Sequence, residues 1–208
     1  MTKLVGSSQG LLDTIGTVTS GIGHPLFPID EVSGWRDNIQ PFSSAKAGGP
    51  NDPTWADMGN GQHAFRFTAG DELFVAVHVD HDYQVGSKAY PHIHFCVDQT
   101  MTLGQQITWS FNYVLARGHS QGDSLTAAET TLLLVYTATG NEVAGEHIIL
   151  EVSDGQSFVL IEPDTVLLAR VKVDSENVLG NIFGIMGDLH YQSDKTVTKN
   201  KTPPFFAQ

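Results

Sequence analysis

Between residues 63 and 192 the chain passes through eight stretches rich in Val, Ile, Phe, Tyr and Thr, none with convincing helical spacing between them. They are HAFRFTA (63–69), ELFVAVHV (72–79), YPHIHFCV (90–97) and QITWSFNYVLAR (106–117), followed by TTLLLVYTA (130–138), EHIILEVS (146–153), TVLLARVKV (165–173) and a run through IFGIMGDLHYQ (182–192). The connections AGDE, DYQVGS, TATGNE, SDGQ and EPDT supply the Gly, Asp, Asn and Pro that turns require. SLTAAETTLLL could hold one helical turn and no more. Parallel strands need long crossovers, usually helical. Eight short strands without such crossovers must therefore pair antiparallel and stack in two layers. The chain reads as all-β, an antiparallel two-sheet sandwich of jelly-roll type.

Alternation assigns the faces, because successive side chains on a strand point to opposite sides. In QITWSFNYVLAR, Ile107, Trp109, Phe111, Tyr113 and Leu115 form a core stripe, with Thr108, Ser110 and Asn112 opposite. In TVLLARVKV, Leu167, Ala169, Val171 and Val173 face the core, while Val166, Leu168, Arg170 and Lys172 face away. In YPHIHFCV the apolar stripe is Ile93, Phe95 and Val97. His92, His94 and Cys96 then share the other face, off the main core unless a further layer covers them.

The first sixty residues are different. They are rich in Gly, Ser, Thr, Pro and Asp, with isolated apolar anchors at Leu11, Leu12, Ile15, Phe27, Trp35, Phe42 and Trp55. So little apolar surface cannot offset the entropy of ordering, so the segment cannot build a core of its own. Buried indoles have no use in a pure linker, which favours an extended arm laid on another surface. The expected division is an arm over 1–60, a sandwich over 61–194 and a tail over 195–208.

Eleven Lys and Arg against 23 Asp and Glu give a formal net charge of −12. Such a surface disfavours nucleic acid and anionic membranes as partners, with Lys195, Lys199 and Lys201 as a local exception. No stretch approaches the ~20 apolar residues of a membrane span. The opening MTKLVGSSQGLLDTIGTVTSG does not read as a signal peptide, which implies synthesis in a cytoplasm. One cysteine, Cys96, excludes an intramolecular disulfide and reads as a small buried apolar residue.

The His-x-His of YPHIHF offers two imidazoles on one strand face, which suits one metal ion or a polar pair closed by hydrogen bonds. Candidate partners are His78, His81, Asp80, Asp82, Asp98, Asp188 and His190. A cupin-like enzyme would carry a Glu soon after His-x-His and a later His in a Gly-rich motif. Here residue 98 is Asp and His190 follows Gly187, a partial match. No metal or other cofactor is expected, and if one binds, His92, His94 and His190 are its ligands. Neither a Gly-x-Ser-x-Gly elbow, a Walker loop nor a dinucleotide fingerprint occurs. No catalytic residues are assigned.

Three motifs together resemble a family of tailed-bacteriophage virion proteins. HVDHDYQVGSKAYPHIHF is similar to that family's turn with Gly leading into a Tyr/Pro-His-x-His-aromatic strand, TWSFNYVLARG to its next aromatic strand, and GDLHYQSDKTVTKNKTPPFF to its closing strand and tail. Trp55 and Asp57 fit as well, so the likeness runs from about residue 55 to 206. The resemblance implies a non-enzymatic virion component, expected to be a head cement or decoration protein on the capsid surface. Its partners would be the major capsid protein or other virion proteins, in a trimeric or dimeric homo-oligomer. It also implies that His92 and His94 pack against Asp188 and His190, with His78 nearby, as a structural polar cluster. A neck, tail or fibre component contacting glycans, and a cupin-like metal-binding enzyme, are the alternatives.

Overall fold

The apolar stripes of the sequence become the facing surfaces of two sheets. A computed structural model describes residues 34–160 and 162–193. Its strands are β1 (Gly34–Pro41), β2 (Thr54–Gly59), β3 (Gln62–Phe67), β4 (Glu72–His78), β5 (Lys88–Val97), β6 (Gln106–Ala116), β7 (Thr130–Thr137), β8 (Ile148–Glu151), β9 (Phe158–Val159), β10 (Val166–Glu176) and β11 (Ile182–Ser193). All the described pairings are antiparallel.

One sheet runs β2-β3-β11-β5-β8, with β1 added to β11 and β9 to β5; the other runs β4-β10-β6-β7. Omitting β1, β2 and β9 leaves β3-β11-β5-β8 facing β4-β10-β6-β7, the two interleaved halves of a jelly roll. These eight strands are the eight stretches that alternate in the sequence. Between the sheets lie Phe67, Ile93, Phe95, Trp109, Phe111, Leu134, Leu167, Val171, Leu189 and Tyr191, all buried. Ile107, Trp109, Phe111 and Tyr113 point inward, as do Leu167, Ala169, Val171 and Val173. Leu115 packs at the margin of the same core.

The arm expected over 1–60 includes residues that are strands of the sandwich. Residues 34–59 belong to the sandwich: β1 pairs with β11 from Gly34↔Ser193 to Pro41↔Met186, and β2 pairs with β3. After β1 the chain makes a 3-10 turn, Phe42–Ser44, that drives Phe42 into the core at 0% exposure. It then crosses to the edge of the other sheet, where Lys46 and Phe74 exchange backbone hydrogen bonds of 3.0 and 2.9 Å. The polar turn that follows is closed by Asp52, whose carboxylate accepts the N–H groups of Gly48 and Gly49, both at 2.8 Å. The segment has no core of its own. It borrows the core of the strands it closes. Leu11, Leu12, Ile15, Phe27 and the tail over 195–208 lie outside the described residues.

Candidate functional site

β5 runs between β11 and β8, and register sets what its outward side chains meet. His92 stands opposite Asp188 on one side and Glu151 on the other; His94 stands opposite Met186 and Ile149. On the far side of β11, Ile39 and Asp37 of β1 align with Asp188 and His190. This is the outer face of the seven-stranded sheet, yet His92, His94 and Asp188 are only 8%, 9% and 6% exposed. Their neighbours on β8, β11 and β1 provide the cover that alternation alone left undecided.

The polar groups there form a continuous chain. His147 Nε2 lies 2.8 Å from His94 Nδ1, and His94 Nε2 lies 3.1 Å from Asp188 Oδ2. Asp188 Oδ1 is 3.1 Å from His92 Nδ1, and His92 Nε2 contacts Glu151 Oε2 closely. Glu151 Oε2 is also 3.5 Å from His190 Nδ1, whose Nε2 is 3.9 Å from Asp37. Burial pulls the His92 imidazole down, but the Asp188 and Glu151 carboxylates outweigh it and hold its pKa above the usual range. For His94 burial prevails, with His147 and His92 adding to it against Asp188, and its pKa is held below.

His78, expected beside this group, belongs elsewhere. β4 and β5 are consecutive but lie in different sheets, so His78 joins a second cluster at the end of the four-stranded sheet. There Asp164, a non-glycine residue at φ 62°, faces three imidazoles: His78 at 3.1 Å and His81 at 3.0 Å from Oδ1, and His119 at 2.9 Å from Oδ2. Burial would raise the Asp164 pKa, but the imidazoles outweigh it and lower it. Asp80 and Asp82, also candidates, are anchors: Tyr191 donates to both, and Asp82 further accepts from Ser193 at 2.8 Å and from Arg36. Asp98 receives the side chain and backbone N–H of Asn181. Sequence reasoning missed Glu151, His147, Asp37 and Asp164. Alternation in EHIILEV does set Glu151 on one face with Ile149, but only strand order puts that face beside His92.

The surface has two depressions, one beside this cluster and one on the other sheet. Trp35 is 52% exposed and makes edge contacts with Tyr90 (5.7 Å between ring centres) and His190 (4.7 Å). With Glu151 and Asp154 these rings border a hollow of about 290 Å³. On the opposite sheet, Phe74, Val114, Leu125, Leu168 and the aliphatic part of Arg170 line a groove of about 530 Å³ beneath the strap of residues 40–46. Of the remaining arm anchors, Trp55 is half-exposed against His63 and Phe65.

No protein-family model matches this chain. Nor does any curated protein. Solved structures share its general form at low identity. They include the insecticidal delta-endotoxin Cry8Ea1 of Bacillus thuringiensis (12% identity, TM-score 0.41, covering 73% of this chain and 23% of that one). Latent PorU of Porphyromonas gingivalis matches at 10% identity and TM-score 0.38, over 77% of this chain and 13% of its own. TmCBM61 in complex with β-1,4-galactotriose matches at 14% and 0.30, over 76% and 86%. The chain thus spans less than a quarter of the first two proteins. None of the three is a phage virion protein.

Proposed function

We propose that the protein is a non-enzymatic structural component of a tailed-bacteriophage virion, a head cement or decoration protein that binds neighbouring chains on the capsid surface. The observation that carries this reading is apolar surface turned outward on both sheets. Phe74, Leu133, Val135 and Leu168 on one, and Trp35, Ile39 and Ile149 on the other, are each 37–54% exposed. Of these, Phe74 and Leu168 line one groove, and an outward apolar patch of that kind suits the packing of another chain. The resemblance supports the same reading: of its motifs, HDYQVGSKAYPHIHF ends in β5, and the part of GDLHYQSD over residues 187–193 lies in the adjoining strand β11. A net charge of −12 suits a basic partner surface and keeps the free chain soluble.

Residues 1–33, with Leu11, Leu12, Ile15 and Phe27, are proposed to make the contacts between subunits, where many small contacts add through multivalency. Mass spectrometry of purified particles from a phage encoding the chain is expected to find it at a copy number set by capsid symmetry. Its presence in the infected-cell lysate but not in particles refutes the reading. Deleting residues 1–30 is expected to reduce retention on particles while the sandwich melts as before; undiminished occupancy refutes the role of the arm.

The hollow beside Trp35 favours a second reading, a neck, tail or fibre component that contacts glycans. An exposed indole next to Tyr90, with Glu151 and Asp154 at the rim, offers an apolar ring face and hydroxyl acceptors together. Binding on a glycan array that disappears in Trp35→Ala distinguishes it.

A further inference from the structure

We propose that His92 Nδ1, His94 Nε2 and Asp188 form a binding site for one divalent transition-metal ion of the zinc class, joining β5 to β11. The inference goes beyond the virion reading and does not depend on it.

The ligand atoms of these three residues all lie within 4.8 Å of one another. Two ligands about 2.1 Å from one ion, at angles between octahedral and tetrahedral, stand roughly 3.0–3.4 Å apart. The observed His–Asp separations are both 3.1 Å.

A buried oxygen without a donor gives an independent reason. Glu151 takes the Nε2 side of His92, while Nδ1 lies 3.1 Å from Asp188 Oδ1 but off the line of a hydrogen bond. That oxygen is buried, has no hydrogen-bond partner, and belongs to a side chain only 4% exposed. A buried carboxylate oxygen with no donor calls for a cation beside it. A second proton on His92 is one answer, and a metal ion is the other.

The outer nitrogens favour the metal. Each of the two imidazoles turns one nitrogen to Asp188 and has the other held, His92 Nε2 by Glu151 and His94 Nδ1 by His147. That is how metal-bound histidines are oriented: a partner on the far nitrogen fixes tautomer and ring direction. Two imidazoles and one carboxylate select Zn, Co, Ni or Fe over Mg and Ca, which prefer all-oxygen sites. Asp188 replaces His190 in the set expected from sequence. His190 instead forms a group with Asp37 and His92, of which Asp37 is exposed.

The test uses the full chain, stripped with a chelator, gel-filtered and titrated with Zn²⁺ and separately with Co²⁺. One tightly held equivalent per chain by elemental analysis is expected, with Co²⁺ producing d–d absorption and Zn²⁺ raising the melting temperature. Asp188→Asn, which keeps the side-chain shape, is expected to abolish all three signals while retaining the wild-type far-UV circular dichroism. Glu151→Gln is expected to weaken binding by about 10–100-fold, and His190→Ala to leave the stoichiometry at one. Absence of uptake by the wild type overturns the site and leaves the proton as the buried cation. Loss of binding in His190→Ala with retention in Asp188→Asn overturns the ligand assignment. Should Asp188→Asn fail to fold, His94→Gln supplies the same reading.

Discussion

Replacing Phe42 with Ala separates a segment that is part of the body from one that merely lies on it. The ring is fully buried and rests on bare backbone of β11. A Cβ built on Gly184 would stand 2.9 Å from Phe42 Cδ2 and Cε2, and one on Gly187 would stand 3.2 Å from Phe42 Cε1. Phe67 flanks it at 6.1 Å between ring centres. Truncating such a ring removes its transfer free energy and leaves a cavity that a jelly-roll sheet closes poorly, a loss of about 3–5 kcal/mol. In a domain of this size that corresponds to a fall in melting temperature of roughly 6–20 °C. Urea unfolding followed by far-UV circular dichroism measures it, as a lower midpoint at unchanged slope. A change within ~0.5 kcal/mol, as for a surface substitution, refutes the assignment of residues 34–59 to the body. The cycle with Gly184→Ala adds a geometric check. Alone that substitution overpacks Phe42 and Phe67 and costs about 1–3 kcal/mol. Once Phe42 is removed the added methyl loses one of its two obstacles, so the double variant is less destabilised than the sum. Additivity within ~0.5 kcal/mol refutes the packing of ring on glycine.

Asp82→Ala removes the acceptor shared by Tyr191, Ser193 and Arg36 and is expected to cost about 2 kcal/mol, read by urea unfolding at neutral pH, because buried hydroxyls lose a partner. Burial raises the Asp82 pKa, but its donors outweigh that and lower it; its stabilisation is therefore full above the ordinary carboxylate pKa and fades as pH falls through the depressed one. Glu142 accepts from the backbone N–H of Thr139 and Gly140 and from the hydroxyls of Tyr136 and Thr139, which hold its pKa at about 2. Glu142→Gln is expected to weaken the fold at pH 7 and to flatten the loss of stability between about pH 4 and 2, measured by melting temperature against pH. Cys96 is buried and its thiol is pushed up, first by burial and then by Asp98, so a thiol reagent at pH 7 is expected to label it only as fast as the fold opens. Rapid labelling of native protein contradicts that burial.

Period-two alternation is a local property, which is why all eight jelly-roll strands were legible: each stripe, such as Trp109-Phe111-Tyr113 or Leu167-Ala169-Val171, records which side of the strand meets the core. β1, β2 and β9 were not: β1 and β9 are placed by β11 and β5, far away in sequence, and β2, although it forms a hairpin with β3, buries none of its residues and so has no apolar stripe to read. Phe42 has no apolar neighbours in the chain to announce it and becomes core only where Gly184 and Gly187 leave room for a ring. The histidine site divides along the same line. That His92 and His94 share a face was readable from their spacing. Which carboxylates they meet was a matter of sheet order, and there proximity in sequence misleads. HVDHDY and YPHIHF look like one hairpin, but consecutive strands of a jelly roll cross between sheets, so His78 goes to Asp164 while Asp188, ninety-four residues beyond His94, becomes the shared partner. It follows that the two histidine clusters are energetically separate. Asp164→Asn should leave metal uptake at His92, His94 and Asp188 unchanged, and an effect of either substitution on the other cluster would mean that the core between the sheets transmits it.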